Sequence, residues 1–348
     1  MKKTLLAIGD IERDILFRKY FCRNADILPS KGIYPKILSY KQIIDDPTLI
    51  NDMDSEGVIV LFFFPYEYWD THIETPYEIY GNKIMGEKFE AFFNQIGSII
   101  ISRHRCKISY INDPISIPLA RDKKRSHDVL ETNNVFCPKS HNNKTAEELM
   151  ELVQQGTSIF LKARCGSLGK GISYLSRSRW CTNFKYEHEV LANHEQDKGW
   201  TMKEVPSEIG FLKQLLKHDV HIEEEIKTPK INGQKMDMRV FVIYQDPVLV
   251  YAKTTPLENI ITNWYQGGRI EPLSFLDQLP SKAIEMAKET AVKAANAYGL
   301  RYAGIDIIFS KDYEKAFVLE GNAFPGAPAP EIPDTVFDPM RILLEKIQ

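Results

Sequence analysis

Near the C-terminus the stretch VLEGNAFPG, residues 318–326, sets a carboxylate, Glu320, and an amide, Asn322, two residues apart at the end of an apolar run. Alternate strand residues share a face, so both oxygen-bearing side chains point the same way just before the chain breaks at Pro325-Gly326. Upstream, AGIDIIF and AFVLEGN flank a turn-like SKDYEK centred near residues 312–313. Antiparallel pairing about that centre sets Asp306 opposite residue 319 or 320 and brings it beside Glu320. Two carboxylates that close repel unless a cation lies between them. An oxygen-rich patch of this kind suits Mg²⁺, which completes its shell with water and phosphate. A solvated strand end is the plainer alternative.

A second group suits phosphate. KARCGSLGKG, residues 162–171, places Lys162 at the end of a strand and follows it with Gly166, Ser167, Gly169 and Gly171. Glycines let the backbone approach phosphate oxygens and aim N–H groups at them. The run has neither the GK[ST] ending of a P-loop nor GxGxxG spacing, and no long helix follows, so it reads as a flexible cover rather than a rigid cradle. A surface turn has the same composition. VHIEEEIKT, residues 220–228, ends a strand on three glutamates. It reads either as an acidic edge or as a nucleotide hinge in which backbone groups meet adenine and a carboxylate takes the ribose. MDMRVFVI puts Asp237 and Arg239 on one strand face, and VYAKTT adds Lys253. Cations beside a metal patch suit a triphosphate.

The elements that would hold these residues alternate. TLLAIG, YPKILSY, GVIVLFFF and GSIIIS read as short buried strands over the first ~117 residues. TPYE, with Thr75 as N-cap, Pro76 at the first helical position and Glu78 closing a capping box, predicts a helix between the last two. Such alternation predicts a parallel sheet with helices on its faces. NDPISIPLA, residues 112–120, reads as a connection between domains. RDKKRSHDVLE then begins a helix that dissolves at Asn133-Asn134, and TAEE at 145–148 opens another that ends at Gly156. Residues ~177–217 are polar and poorly periodic, and are expected to form a mobile, partly exposed segment. A helix over 281–298 ends at Gly299, a C′ glycine.

Composition narrows the classes. The chain has 348 residues, 43% hydrophobic and 26% charged, as ordinary globular proteins do. With 44 Lys+Arg against 47 Asp+Glu the net charge is −3, which recommends neither nucleic acid nor an anionic membrane as partner. The opening MKKTLLAIGD runs straight into Asp10, Glu12 and Asp14, so a first core strand fits better than a signal peptide. Its longest apolar run, GVIVLFFF, is too short to span a bilayer. Five cysteines without a CxxC are expected of reduced thiols, and a cytoplasmic location follows. His188, His194, His218 and His221 lack zinc-site spacing, and Cys165 in the glycine run has no evident base. The aromatics of FFFPYEYWD, residues 62–70, belong either to a substrate pocket or to the core.

Taken together, these segments resemble the ATP-grasp superfamily, and within it the RimK-type ribosomal-protein glutamate ligases and glutathione-synthetase-like enzymes. The resemblance runs over about residues 118–348. ARDKKRSHDVLETNNVFCP is similar to the segment opening the central domain, which implies Lys123 as a nucleotide lysine, and FLKARCGSLGKGI implies Lys162 as the second. HIEEEI resembles the hinge, placing Glu224 and Glu225 at adenine. MDMR implies nucleotide-side roles for Asp237 and Arg239, and GID…VLEGNAFPG implies Asp306, Glu320 and Asn322 as metal ligands. The spacing from Asp237 through Lys253 to Asn263 fits as well, with Arg239, Lys253 and Asn263 nearest the chemistry. Two departures stand out: Ile261 where such glutamate ligases carry an arginine two residues before the asparagine, and a longer segment at roughly 177–205.

The resemblance implies an α/β (α+β) chain of ATP-grasp fold in three parts. A Rossmann-like pre-ATP-grasp domain would occupy residues 1–117, a central lid 118–220 and a metal-bearing C-terminal part 221–348. It implies an ADP-forming ligase using ATP and Mg²⁺, with Mn²⁺ as a substitute, that joins a small-molecule or peptide carboxylate to an amine through an acyl phosphate. A phosphotransferase on the same fold and a nucleotide-binding module without turnover are the alternatives. A homo-oligomer is left open.

Overall fold

In the computed structural model, residues 2–51, 56–75, 78–103, 106–263, 266–327 and 331–348 are described. The first four strands, β1 (Lys3–Ile8), β2 (Ile33–Leu38), β3 (Gly57–Phe62) and β4 (Lys107–Tyr110), form a parallel sheet in the order β2-β1-β3-β4. Every residue of β3 is buried, as a strand covered on both faces requires.

Among the helices beside this sheet are α1 (Tyr40–Asp45) and α2 (Lys83–Arg103). α2 corrects two expectations. GSIIIS is its last part rather than a strand. Phe89, Phe92, Phe93, Ile96 and Ile100 form one buried stripe at helical spacing, so the isoleucines continue a helix already under way. The fourth strand is KISY, after the helix. The expected start at TPYE also fails: Pro76 and Tyr77 lie outside the described residues, and the helix begins at Lys83. There Asn82 accepts the Met85 N–H through Oδ1 at 2.8 Å.

NDPISIPLA is more than a connection. It carries α3 (Ser116–Arg121), and its Asn112 is buried. α4 (Lys123–Thr132) follows, capped by Asp122, and α5 (Ala146–Gln154) opens on the expected capping box of Thr145 and Glu148.

The second sheet is antiparallel in the order β10-β7-β6-β5-β11. Its members are β5 (Ile159–Lys162), β6 (Ile172–Leu175), β7 (Trp180–Thr182), β10 (Lys203–Glu204) and β11 (His221–Glu224), and a small hairpin of β8 (Lys185–Glu187) and β9 (Val190–Ala192) sits between. Much of 177–217 is exposed, as expected, but the stretch also contributes to the core. Trp180, Phe184, Leu191 and Trp200 are buried there, and α6 (Ile209–Leu216) buries Phe211, Leu212 and Leu215. Apolar residues spaced irregularly along short strands leave no periodicity to read, yet they fill a core.

The third sheet, β14-β13-β12-β15-β16, comprises β12 (Gln234–Ile243), β13 (Asp246–Pro256), β14 (Arg269–Ile270), β15 (Tyr302–Phe309) and β16 (Ala316–Asn322). α7 (Ser281–Tyr298) lies against it through Ala283, Ala287, Ala291, Ala294 and Ala295, small side chains that let the helix come close. Gly299 ends it with φ +70°. α8 (Pro339–Lys346) returns to the first sheet, where Leu343 and Leu344 join Leu5, Phe17 and Phe21 in one apolar cluster.

Candidate active site

The second and third sheets face each other across a cavity of about 1010 Å³. On the third-sheet side, Asp306 pairs directly with Glu320 across the β15–β16 hairpin, and a bulge follows at Ile307. On its other flank Asp306 pairs with Arg239, while Asp237 pairs with Lys253 between β12 and β13. Register thus brings five charged side chains to one patch.

Buried Asp306 is held by two cations. Arg239 Nε donates to Oδ1 at 2.9 Å and Nη2 to Oδ2 at 2.6 Å, while Lys253 Nζ donates to Oδ1 at 3.1 Å. Burial alone would raise the Asp306 pKa, but Arg239 and Lys253 outweigh it and hold the group well below the usual carboxylate range. Lys253 Nζ also lies 2.9 Å from Asp237 Oδ1. Burial, with Asp306 nearby, pushes Asp237 up against the pull of Lys253. Asp237 Oδ2 accepts from Thr262 Oγ1, which ties the loop bearing Asn263 to the sheet.

The donors at the strand end fit a hard divalent cation. Asp306 Oδ2 keeps a lone pair beyond its bond to Arg239. Asn322 uses its Nδ2 on Gly304 O at 3.3 Å and on Glu320 Oε1 at 3.4 Å, which leaves the amide oxygen for another partner. Two carboxylates and an amide oxygen are the ligands such an ion takes.

The opposite wall is cationic and backbone-rich. Lys123 Nζ donates to Gly166 O at 2.6 Å and lies 3.8 Å from Glu320 Oε2. Burial lowers its pKa and Glu320 opposes the shift. Lys162 pairs with Glu223, which also lies 3.4 Å from His221 Nε2. Burial would raise Glu223, but Lys162 and His221 prevail and bring it to about 2.

The glycine run is fastened rather than loose. Ser167 Oγ lies 3.0 Å from Tyr80 Oη and accepts from Arg121 at 3.1 Å, while Asn183 donates to Gly169 O at 2.6 Å. Gly169 and Gly171 take positive φ. A Cβ on Gly169 would stand 3.2 Å from the Asn263 Cβ, so the run closes against that loop.

Glu224 ends β11 at the cavity and Glu225 follows it, but their N–H groups donate to Lys139 O and Ser158 O, each at 2.9 Å. Their carboxylates meet His141 at 2.7 Å and Lys227 at 2.8 Å. Backbone reading of a base would therefore fall to the chain just after them, 226–228, which also lines the cavity.

Of the expected residues, Lys123, Lys162, Gly166, Ser167, Gly169, Glu224, Glu225, Asp237, Lys253, Asn263, Asp306 and Glu320 line this one cavity. Arg239, Gly171 and Asn322 are not among its lining residues. Sequence reading missed Glu223, Thr262, Tyr80 and Arg121. Only the three-dimensional register shows which of three consecutive glutamates meets Lys162. In the aromatic run 62–70, Phe62, Phe63 and Trp69 are core, whereas Pro65 and Tyr68 line a separate cavity of about 640 Å³.

Lysines and glycines over one sheet face carboxylates on the other. The model of the YheC/D-like ATP-grasp family matches residues 112–338, and the chain belongs to that family. A probable alpha-L-glutamate ligase of Cellvibrio japonicus is 28% identical over 256 residues, 70% of this chain and 72% of its own. The tetrahydromethanopterin:alpha-L-glutamate ligase of Methanocaldococcus jannaschii is 28% identical over 219 residues, 63% of each chain. The chain thus spans just under two thirds of the second relative. Among solved structures, the RiPP-associated ATP-grasp ligase of Chryseobacterium gregarium, in complex with ADP and a leader and core peptide, superposes with TM-score 0.55 at 14% identity, covering 99% of this chain and 95% of its own. These relatives make the chain an ATP-dependent ligase by class. Among the described residues, no helix is long and apolar enough to cross a membrane.

Proposed function

We propose that the protein joins a carboxylate to an amine through an acyl phosphate, with ATP and Mg²⁺ in the cavity between the second and third sheets. The observation that carries this reading is Lys123, whose ammonium touches both Gly166 O and the neighbourhood of Glu320. Phosphate cover, lysine and metal strand meet at one point, as a triphosphate spanning the cleft would require.

In this reading the substrate carboxylate oxygen attacks the γ-phosphorus, the bond to the β–γ bridging oxygen breaks, and ADP leaves. An amine then attacks the acyl carbon, phosphate departs, and the amine loses its proton to solvent. Asp306, Glu320 and Asn322 would hold a divalent cation, whose charge would offset that of the phosphates. Lys162 and Lys123 would hold the phosphates from the lid side, and Arg239 and Lys253 would keep Asp306 ionised and in place. Asn263, on the loop tied to Asp237, would lie nearest the acyl group. No protein nucleophile is needed. The acid or the amine is an amino acid, a peptide or a small metabolite. Ile261 lines the cavity where resembling glutamate ligases carry an arginine, which supports an acid or amine other than theirs.

Hydroxylamine tests the reading. With the correct carboxylate, ATP and Mg²⁺, it should intercept the acyl phosphate and yield a hydroxamate with stoichiometric ADP and phosphate. The true amine should give an amide and free phosphate during turnover. A stable phosphorylated product that no amine converts to an amide would replace the ligase with a phosphotransferase.

A further inference from the structure

Behind the hinge wall, α4 and the loop leaving it gather three unlike ligand atoms. His127 and Glu131 are one helical turn apart and share a face. The chain reverses at Asn134, whose φ is +55°, and brings Cys137 back toward that face. A ring nitrogen of His127, a Glu131 carboxylate oxygen and Cys137 Sγ all lie within 4.8 Å of one another, and Nδ1 lies 3.8 Å from Glu131 Oε2.

The imidazole is oriented for a ligand. His127 is buried, and its Nε2 lies 2.7 Å from Pro138 O. A carbonyl only accepts, so the ring carries a proton on Nε2 and donates it there. That bond leaves Nδ1, on the Glu131 side of the ring, as the nitrogen that a cation would take. Fixing one ring nitrogen with a backbone carbonyl so that the other is presented is how proteins aim a metal-binding histidine.

We propose that His127, Glu131 and Cys137 form a binding site for a borderline divalent cation of the zinc class, with water in the fourth position. A nitrogen, an oxygen and a sulfur ligand together suit zinc and disfavour magnesium or calcium, which take oxygen. Bond lengths of about 2.0–2.3 Å put tetrahedral ligands roughly 3.4–3.8 Å apart, so small side-chain rotations close the shell. On binding, the Cys137 thiol releases its proton to solvent, and thiolate and carboxylate together offset the two charges of the cation. The ion would pin α4 to the segment carrying Pro138, which lines the nucleotide cavity, and Lys139, which accepts from Glu224. The site is independent of the reaction performed in that cavity.

The test uses the full chain, stripped with chelator, dialysed, and titrated with Zn²⁺ or Co²⁺ alone. One equivalent should bind at micromolar or lower dissociation constant, and Co²⁺ should give a thiolate charge-transfer band with the intense visible bands of a tetrahedral site. Cys137→Ser should abolish the charge-transfer band and weaken Zn²⁺ binding by about 100-fold. Glu131→Gln, at an exposed side chain, should keep that band and weaken binding about 10-fold. Circular dichroism checks the fold of each variant, and Glu131→Gln decides the matter if Cys137→Ser misfolds. Sub-stoichiometric binding, a charge-transfer band that survives Cys137→Ser, or an affinity that Glu131→Gln leaves unchanged would each overturn the assignment.

Discussion

Asp306 has Glu320 directly across the hairpin, and two cations, buried Lys253 and partly buried Arg239, hold it ionised before any ligand arrives. Glu320 is freer, with Lys123 at 3.8 Å, so it is the ligand whose removal least disturbs the fold. Glu320→Gln should leave thermal stability near wild type and cut ADP release by about 100-fold or more. Wild-type turnover with unchanged Mg²⁺ dependence would end the metal assignment. Glu223 gives a pH prediction of known sign. Its pKa falls from 4.5 in the unfolded chain to about 2 in the fold, because Lys162 and His221 outweigh burial. The stabilisation, roughly 3 kcal/mol, is therefore present above about pH 4.5 and fades as pH falls toward 2. Urea unfolding should show wild type well above Glu223→Gln at pH 5, with the gap closing near pH 2.5. A gap that stays constant would reject the pairing. The Asp306–Glu320 contact was legible, because a hairpin of known centre has a calculable register. The Lys162–Glu223 pair was not, since it joins two strands separated by 61 residues.

The strand that bears the proposed ligands has glycine between them, and the helix behind it explains why. A Cβ on Gly321 would stand 2.4 Å from Cε2 of Tyr298, a fully buried ring at the end of α7. Gly321→Ala should therefore destabilise by about 1–3 kcal/mol through overpacking. Gly210, in α6, meets nothing within 4 Å, so Gly210→Ala should be stabilising by about 0.5–1 kcal/mol. Thermal melts that shift both variants the same way would contradict this account. α7 and the β15–β16 hairpin could be read from sequence because their periods are long and their ends carry strong signals. The second sheet's outer strands are two to four residues each, too short for alternation to register. GSIIIS misled for a related reason: three isoleucines in a row fit a strand locally, and only the phenylalanine stripe before them reveals the helix.

At the scale of the molecule, two of the ties between the first sheet and the third, among the described residues, are invisible in local pattern. One is α8, whose C-terminal carbonyls at Leu344 and Ile347 accept from Lys31 at 3.2 and 2.9 Å, and whose Asp338 accepts from Asn24 at 2.8 Å. The last residues in sequence thus pack with the first, which no hydropathy profile reveals. The other is Asn112, at the exit from the first sheet. Its Nδ2 donates to Tyr302 O at 2.7 Å and Ala323 O at 3.1 Å, and its Oδ1 accepts from the N–H groups of Arg301 at 2.9 Å and Tyr302 at 3.1 Å. One buried amide thereby satisfies backbone groups at the start of β15 and just beyond β16, the two strands that present Asp306, Glu320 and Asn322. A buried polar group left without a partner costs about 1–3 kcal/mol, and Asn112→Ala strands several at once, so a loss of roughly 3 kcal/mol or more is expected. Asn112→Asp separates the two halves of the clamp: it keeps the acceptor for Arg301 and Tyr302 but sets a carboxylate against two carbonyls. It should be at least as damaging at pH 7, and it should recover partly in acid as the carboxyl gains a proton and can donate again. Denaturant unfolding at pH 7 and pH 4.5 measures both variants. Wild-type stability in Asn112→Ala would show that water satisfies those backbone groups and that the clamp contributes nothing.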